Sequence, residues 1–398
     1  MMWTKAKIGD CCEITSSKRI FFSEYVESGI PFYRSKEIIE LSNCQEISDP
    51  LYISESKYDE IAHKFGIPQP GDMLLTSVGT IGIPYIVKEK DTFYFKDGNL
   101  TWFRNFNERL DSRYLFYWVK SAEGQGVLNN TTIGSSQKAL TIAALKDLKI
   151  LCPPIGIQNR IVEILTSYDD LIENNQKQIK LLEEAAQRLY KEWFVALRFP
   201  GHENTKITDG IPEGWSVQSI NDIAEYINGY AFKPSDWGNL GKPIIKIKEM
   251  GSGIASDTPR NTGESIPERY NVTAGDILFS WSATLSAKIW DEEDGLLNQH
   301  LFKVIPHGGV SREFVLQSIL KTLDEFSNLT TGSTMKHIQR GKLKEVHIIV
   351  PNEQMMHIYE SISEPSREQI LKLKKRIVIL QEARDRLLPK LMSGEIEV

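Results

Sequence analysis

At 398 residues the chain exceeds the size that one hydrophobic core normally serves, so the sequence predicts two or more domains. Hydrophobic residues make up 41% and charged residues 25% of the chain, which argues against bulk disorder. The formal net charge of −6 argues against a simple nucleic-acid binder, because phosphate neutralisation normally needs a basic surface.

The start of the chain, residues 1–5, lacks the apolar core of a signal peptide, and no apolar run approaches the roughly 18 residues of a membrane helix. We therefore expect a cytoplasmic protein that does not contact a membrane. The cysteines form no C-x-x-C pair, and we expect reduced, buried thiols rather than a metal site. These cysteines are Cys11, Cys12, Cys44 and Cys152.

The first 152 residues predict a mixed α and β unit. Short apolar runs next to glycine or proline indicate strands at residues 72–77 and 148–151, and an apolar face indicates a short helix at residues 114–119. Residues 158–194 contain neither Pro nor Gly and repeat apolar residues every seven positions, which predicts a long helix with coiled-coil packing.

A linker rich in Pro, Gly and polar residues follows at residues 199–213, and then the pattern begins again. Residues 134–140 match residues 332–338 at an offset of 198, and this offset continues unbroken into the helix. Trp3 maps to Trp215 at an offset of 212, and residues 71–77 map to 275–281 at 204. The decrease of the offset along the chain, from 212 to 204 to 198, places the length differences between the copies in connecting loops, where insertions are tolerated.

The second copy therefore predicts strands at residues 276–280 and 346–350, a short helix at residues 314–320 and a second long helix. Antiparallel pairing of the two long helices gives a pseudo-two-fold axis, and a helix of roughly 35 residues spans about 50 Å. Asn175 places a polar side chain in the apolar stripe. It either fixes the register of the coiled coil or is simply tolerated near a helix end. The predicted pairing residues are Leu165, Ile172, Ile179, Leu182, Leu189, Ile370, Leu373, Ile377, Leu380 and Leu387.

Neither copy carries a recognisable catalytic motif. We find no Walker phosphate loop, no G-x-S-x-G elbow, no H-E-x-x-H and no zinc spacing. Asn-Pro-Pro-aromatic and Asp…Glu-x-Lys patterns, which are typical of amino-methyltransferases and nucleases, are also missing from the sequence. The absence from both copies makes an enzyme less favoured than a binding protein.

Polar and basic positions of the two copies are the predicted DNA contacts. Glycine and hydroxyl residues beside Lys138 and Lys336 let a backbone phosphate approach, although an ordinary turn explains them too. Strand alternation would place Arg34 with Lys36 on one face, with a solvated strand edge as the alternative. The full set is Lys18, Arg19, Arg34, Lys36, Thr76, Ser77, Thr80, Ser135, Ser136, Lys138, Lys233, Lys246, Lys248, Ser280, Thr284, Ser333, Thr334 and Lys336.

In this order of features the chain resembles the HsdS specificity subunits of Type I restriction-modification systems. The resemblance rests on a Trp-x4-Ile-x-Asp opening at Trp3 and Trp215, on Gly-Asp-hydrophobic strands, and on a Pro-Pro-x3-Gln junction at residues 153–158 before the helix. The second junction, residues 351–354, is one residue shorter in this comparison. The resemblance covers nearly the whole chain.

The resemblance implies an α+β fold with two target-recognition domains, residues 1–152 and 214–350. Spacer helices at residues 153–198 and 351–398 would form an antiparallel coiled coil. It further implies that the chain reads a bipartite double-stranded DNA target and docks two methyltransferase subunits and restriction or motor subunits. No cofactor is expected on this chain, whereas S-adenosylmethionine, ATP and Mg²⁺ are expected on those partners.

Two alternatives remain open at the level of the sequence. One is a pseudo-symmetric protein-binding scaffold without DNA specificity, which the acidic balance favours. The other is a fused restriction enzyme with unrecognised catalytic motifs. If partner subunits wrap the DNA, this chain need not supply most of the phosphate neutralisation. The net negative charge then no longer argues against DNA binding.

Overall fold

A computed structural model describes residues 3–43, 45–134, 138–328 and 340–398 of the chain. The chain forms two compact units. Unit 1 comprises residues 1–174 and 377–398, and unit 2 comprises residues 175–376. The division falls inside both long helices, so each unit contains part of each helix.

Unit 1 is a mixed α and β structure. Its elements are β1 (Thr4–Lys7), β2 (Glu13–Thr15), β3 (Tyr25–Val26), β4 (Ile30–Tyr33), α1 (Ser35–Ser42), β5 (Leu51–Ile53), α2 (Glu55–Phe65), β6 (Met73–Thr76), β7 (Pro84–Ile86), β8 (Tyr94–Phe95), β9 (Leu100–Arg104), α3 (Ser112–Lys120), α4 (Ala122–Thr131), α5 (Ile142–Asp147), β10 (Lys149–Cys152) and the start of α6 (Ile155–Tyr190).

Unit 2 repeats this plan after α6 ends in a π-helical turn, Lys191–Val195. Its elements are β11 (Ile207–Thr208), β12 (Ile211–Pro212), β13 (Ser216–Ser219), β14 (Ala224–Asn228), β15 (Lys242–Ile245), α7 (Ile247–Ser252), β16 (Arg260–Asn261), β17 (Asn271–Val272), β18 (Ile277–Ser280), β19 (Ser286–Ile289), β20 (Gly295–Leu297), β21 (Leu301–Pro306), α8 (Arg312–Lys321), α9 (Leu323–Asn328), β22 (His347–Val350) and α10 (Glu353–Ser393).

The two units share most of their sheet topology, but the second four-stranded sheet gains its fourth strand at opposite edges, with β3 beside β5 in unit 1 and β17 beside β20 in unit 2. In unit 1, β1 pairs with β10, one sheet has the order β2-β9-β6-β7, and another has the order β3-β5-β4-β8. In unit 2, β13 pairs with β22, and the corresponding orders are β14-β21-β18-β19 and β16-β15-β20-β17. The parallel pair β4 with β8 recurs as β15 with β20. The predicted repeat and the predicted strands and short helices are therefore confirmed.

The junction before the second helix corrects one detail of the sequence comparison. Strands β10 and β22 and helices α6 and α10 all keep the offset of 198, so no residue is missing there. Met356 thus occupies the place of Gln158. Gln158 is buried and hydrogen-bonds to Asp111 N, Arg109 O and Pro153 O, whereas Met356 packs into the apolar core of unit 2. An amide network in one copy is replaced by apolar contact in the other.

Each unit's core includes residues from both long helices. In unit 1, Leu165 of α6 and Leu388 and Leu391 of α10 lie in one cluster with the β1, β9 and α3 side chains. In unit 2, Trp193 and Phe194 join Tyr359 of α10, and the Phe194 and Tyr359 ring centroids are 4.9 Å apart. Neither globular part closes its core without both helices.

Four residues of the predicted stripe, Leu165, Ile172, Ile179 and Leu373, are buried and the other six are half-buried, so their role in pairing stays a prediction; the two helices are antiparallel within each unit. Ile172 and Leu373 are 6% and 4% exposed, whereas the off-stripe Leu181 and Ile379 are both 65% exposed. Asn175 lies in the middle of α6 and is buried, so it is not a residue near a helix end. Its effect on register stays a prediction.

A polar cluster joins the two helices to α3 in unit 1. Asp169 accepts hydrogen bonds from Tyr117 Oη at 2.8 Å and from Arg384 Nη1 at 2.5 Å. Burial lowers the pKa of Arg384, but the hydrogen bonds to Asp169 and Asp385 and the charges of these carboxylates together outweigh this effect and raise the pKa above its usual value. In unit 2 the repeat partner of Asp169 is Arg367, which contacts the buried Glu313. The repeat position therefore carries an acid in unit 1 and a base in unit 2, and their partners come from different elements, α10 and α8 respectively.

Other general expectations can be checked in the described residues. Cys11, Cys12 and Cys152 are free and buried, and burial raises the pKa of Cys12 to about 12, while Cys44 lies outside the described residues. No group of His, Cys, Asp and Glu in the described ranges is arranged to hold a metal ion. Within the same ranges, no helix combines the length and hydropathy needed to cross a bilayer.

We predict that Arg384→Met lowers the thermal midpoint of the full chain's unit 1 transition by about 4–8 °C, because it leaves the part-buried Asp169 without its cation. Calorimetry on the intact chain measures this shift. Arg386→Met is the matched control, since Arg386 is an exposed helix residue paired with Glu382, and its effect should be close to zero. Equal shifts for the two variants would contradict a role for the Asp169 cluster.

Candidate nucleic-acid interface

The predicted contact residues of unit 1 lie in loops that meet at one end of its two main sheets. We call this end the loop edge of unit 1; it comprises residues 16–19, 34–36, 77–80, 97–99 and 138–139. These loops meet because β2, β4, β6 and β8 finish at this end and β9 begins there. The topology alone therefore brings together residues that are far apart in the sequence.

The backbone of the 97–99 segment joins the other loops. The Asn99 carbonyl accepts hydrogen bonds from Ser77 N at 2.8 Å and from Ser35 Oγ at 3.5 Å. Gly98 N donates to Ser16 Oγ at 3.2 Å, and Arg19 Nε donates to Asp97 at 2.9 Å. These hydrogen bonds fix the positions of the loops relative to one another.

The loop holding Lys138 lies beside this cluster. Leu140 N donates to Ser77 O at 2.9 Å, and Val78 and Ala139 form an isolated β-bridge. Lys138 itself is exposed. The structure therefore brings the predicted lysine loop next to the hydroxyl loop that ends at Thr80, which is also exposed.

Unit 2 has a corresponding loop edge, residues 228–233, 246–248, 281–284 and 298–300. Gln299 N donates to Tyr230 O at 2.9 Å, and Asn298 N donates to Ile245 O at 3.1 Å. The side chains, however, differ from those of unit 1. Trp281 Nε1 donates to Asn228 Oδ1 at 3.0 Å, and Trp281 and His300 have ring centroids 5.8 Å apart.

One sequence prediction about this edge is wrong. Arg34 and Lys36 do not alternate along a strand, and neither do Lys246 and Lys248, because β4 and β15 end at Tyr33 and Ile245. Arg34 and Lys246 instead precede the first turns of α1 and α7, where a glutamate three residues later accepts their backbone N–H. The Arg-Ser-Lys-Glu and Lys-Ile-Lys-Glu sequences are helix starts with a capping glutamate.

These two capping glutamates also hold the basic side chains. Glu37 is fully buried and pairs with the Arg34 guanidinium, and the fully buried Glu249 lies 3.9 Å from Lys246 Nζ. Arg34 and Lys246 are therefore engaged internally. Lys36 and Lys248 are exposed in the first helical turns, with Lys248 Nζ 2.7 Å from Asp257.

The hydroxyl candidates separate into buried and exposed groups. Thr76, Ser77 and Ser280 are buried, and their hydroxyl groups hydrogen-bond inside the protein. For example, Thr76 Oγ1 accepts a hydrogen bond from Ile83 N at 2.9 Å. Thr284 is exposed, as are Lys18, Arg19 and Lys233. The candidates Ser135, Ser136, Ser333, Thr334 and Lys336 lie outside the described residues.

The sequence reasoning missed the polar residues between the last two strands of each sheet region. These are Asn99 in unit 1 and Gln299 and His300 in unit 2, and Asn228 at the end of β14 was missed as well. A short polar run between β8 and β9 and between β20 and β21 was the available signal. It was hidden because the two runs, residues 96–99 and 298–300, differ in length and share only asparagine as a residue type. Amide, imidazole and hydroxyl groups of this kind can donate to and accept from base edges.

The family model described as "Type I restriction modification DNA specificity domain" matches residues 2–184 and 212–376. Each match covers one globular part and most of the helix that follows it.

Two curated relatives come from Methanocaldococcus jannaschii. The Type I restriction enzyme MjaIX specificity subunit is 26% identical, covering 100% of this chain and 94% of its own length. The MjaVIII specificity subunit is 24% identical, covering 100% and 93% respectively. The crystal structure of a Type I restriction-modification S subunit from M. genitalium superimposes with a TM-score of 0.59 at 14% identity, covering 98% of this chain and 96% of that one. This last likeness concerns the fold.

We predict that Arg34→Gln destabilises unit 1 by about 2 kcal/mol, because the buried Glu37 carboxylate loses a charged hydrogen-bond partner. Thermal unfolding of the full chain measures the effect. Lys36→Gln is the matched control on the exposed side of the same turn and should change stability by less than about 0.5 kcal/mol. If Arg34→Gln left stability unchanged, the internal role assigned to Arg34 would be wrong.

Proposed function

The chain belongs to the family of Type I restriction modification DNA specificity domains, and we propose that its two units read the two halves of one split DNA target. The family assigns it DNA target recognition as a non-catalytic specificity subunit. Neither a scaffold without DNA specificity nor a fused restriction enzyme is favoured by this membership.

One observation supports two half-sites above the others. The two units share the order and register of the sheet formed by β2-β9-β6-β7 and β14-β21-β18-β19, yet their loop edges carry different side chains. Trp281 and His300 of unit 2 replace Ser77 and Asn99 of unit 1 at equivalent strand ends. Base readout depends on the donors and acceptors that reach a groove. Two units with a similar strand framework and different loop-edge side chains are therefore suited to two different half-sites.

We further propose that the paired helices set the gap between the half-sites and dock two methyltransferase subunits. These partners would bring S-adenosylmethionine, and restriction or motor subunits would bring ATP and Mg²⁺. The repeat supports two similar docking surfaces, since both helices follow their units at one fixed offset. Such an assembly acts where chromosomal DNA lies, so we place the chain in the cytoplasm.

The proposal divides the chain into target-recognition domains at residues 1–152 and 214–350, helices at 153–198 and 351–398, and a linker at 199–213. In the structure this linker contains the small β11–β12 hairpin, and Phe199 stacks near Trp215 with ring centroids 4.5 Å apart. These contacts give the segment a fixed path in unit 2.

Exchanging residues 1–150 for the matching segment of a relative with another target should change one half-site only. The reason is that the loop edge of unit 1 lies wholly within this segment. Sequencing the sites methylated by the assembled complex provides the measurement. A change in both half-sites, or in neither, would contradict the assignment of one half-site to each unit.

Inserting seven residues into both helices, after residue 174 and after residue 376, should lengthen the gap by about three base pairs, since seven helical residues add about 10 Å. These positions keep every contact described within each unit. Both half-site sequences should stay the same in methylation sequencing. A gap of unchanged length, or altered half-site sequences in a correctly folded variant, would contradict the spacer role proposed for the helices.

A further inference from the structure

Unit 1 contains a cationic pocket whose key residues are replaced at the equivalent described positions of unit 2. The pocket has a volume of about 330 Å³ and lies between β2, β9 and the end of α2. Three basic side chains from three different elements line it, namely Lys18 after β2, Lys64 in the last turn of α2 and Arg104 at the end of β9. Trp102 and Tyr94, which are almost fully buried, line it from the protein interior.

Aromatic rings hold two of these cations. Lys18 Nζ lies 4.4 Å from the Phe65 ring centroid, and the Arg104 guanidinium lies 4.4 Å from the Trp102 ring centroid. Arg104 Nη1 also donates to the Phe65 carbonyl at 3.2 Å, which satisfies an acceptor at the end of α2. A cation over a ring keeps its charge available to an anion on its other side.

The acidic neighbours only partly offset this charge. Arg104 Nη2 pairs with Glu13 at 2.8 Å, and Lys64 Nζ pairs with Glu60 at 2.8 Å. Lys18 Nζ, in contrast, lies against the Phe65 ring. The residues that line the pocket thus include three cations and no carboxylate, and Asp72 accepts a hydrogen bond from the lining residue Trp102.

The equivalent place in unit 2 has different residues. Glu13 faces Arg104 across β2 and β9, and the matching pair across β14 and β21 is Glu225 with Ile305. By the same register, Lys303 stands where Trp102 stands in unit 1, and Lys303 Nζ donates to Asn271 O at 2.7 Å. Unit 2 thus has neither the arginine nor the indole that builds the pocket.

The pocket is continuous with the loop edge of unit 1. Ser16 lines the pocket, accepts a hydrogen bond from Gly98 N and donates to Leu100 O at 3.4 Å. Lys18 also belongs to both the pocket and the loop edge. An anion in the pocket would therefore lie next to whatever the loop edge contacts.

We propose that this pocket binds one backbone phosphate of the DNA beside the half-site read by unit 1. The inference rests on the proposed DNA-reading function and adds an asymmetry to it. A lysine pair and an arginine around one small cavity match a single phosphate group, whose contacts position the duplex but carry no sequence information. Unit 1 therefore anchors the backbone at a point where unit 2 does not.

The test uses the full chain assembled with its methyltransferase subunits and duplex DNA that carries the target. We expect Lys18→Gln with Lys64→Gln to weaken binding on the order of tenfold, equally on target and scrambled DNA. The slope of log K against log salt should become less negative by about 0.9, the value for one phosphate. Arg104 is left intact because it also supports the strand and helix.

Two controls separate the pocket from general charge. Lys5→Gln with Lys149→Gln makes the same charge change at exposed positions of the β1–β10 pair and should leave the slope unchanged. Lys18→Arg with Lys64→Arg should restore binding. A neutral methylphosphonate at the anchored position should weaken wild-type binding and have little effect on the double glutamine variant.

The outcomes distinguish this inference from the proposed function. If the wild-type complex prefers its target but the glutamine variant behaves like the Lys5 and Lys149 control, the pocket assignment is overturned and DNA reading stands. A changed half-site sequence would also overturn it, since a phosphate contact carries no base preference. If the wild-type complex shows no sequence preference, the proposed function fails and the inference fails with it.

Discussion

Burial of helix side chains in the cores of the units is the constraint on which the rest of this structure depends. Leu165, Leu388 and Leu391 fill the core of unit 1, while Trp193, Phe194 and Tyr359 fill that of unit 2. Each fully buried side chain of this size contributes about 1.5–3 kcal/mol relative to exposure. Both helices must therefore fold together with both units. The strands and helices whose side chains fill these cores, which we call the frame of the repeat, cannot change freely in either copy.

This constraint explains what differs between the copies. The pairing of β1 with β10 and of β13 with β22 persists in both copies, and the offset of 198 holds from these last strands through the helices, because a shift by one residue would expose an apolar face. The loops at the far ends of the strands are free of this requirement. There Asn99 is exchanged for His300 and Ser77 for Trp281, and the offset drifts. Specificity can change at the loop edges without disturbing the frame.

The sequence predicted the repeated frame well because periodicity and Gly or Pro boundaries follow directly from backbone geometry. Residues 72–77, 148–151 and the heptad stripe are examples. The sequence was much weaker for the interface. Arg34 and Lys246 looked like strand residues because only the buried position of Glu37 and Glu249 shows that a helix begins there. Thr76, Ser77 and Ser280 looked available because a hydroxyl's burial depends on distant partners such as Thr101. Arg104 and Trp102 gain their role only when α2 folds over β9.

The net charge of −6 also becomes understandable in this light. Several basic residues near the loop edges pair with buried carboxylates, as Arg34 does with Glu37 and Lys246 with Glu249. A chain of this kind contributes selected contacts and leaves most of the phosphate neutralisation to its partners, which fits a specificity subunit within a larger complex.

The central claim is that two units with one frame read two different half-sites, and sequencing methylated bases across the host genome tests it most directly. We expect a single split motif, with two unlike halves separated by a gap of fixed length, that disappears when the gene for this chain is deleted. A continuous motif, or two identical inverted halves, would contradict the account. Methylation that persists unchanged after the deletion would contradict it as well.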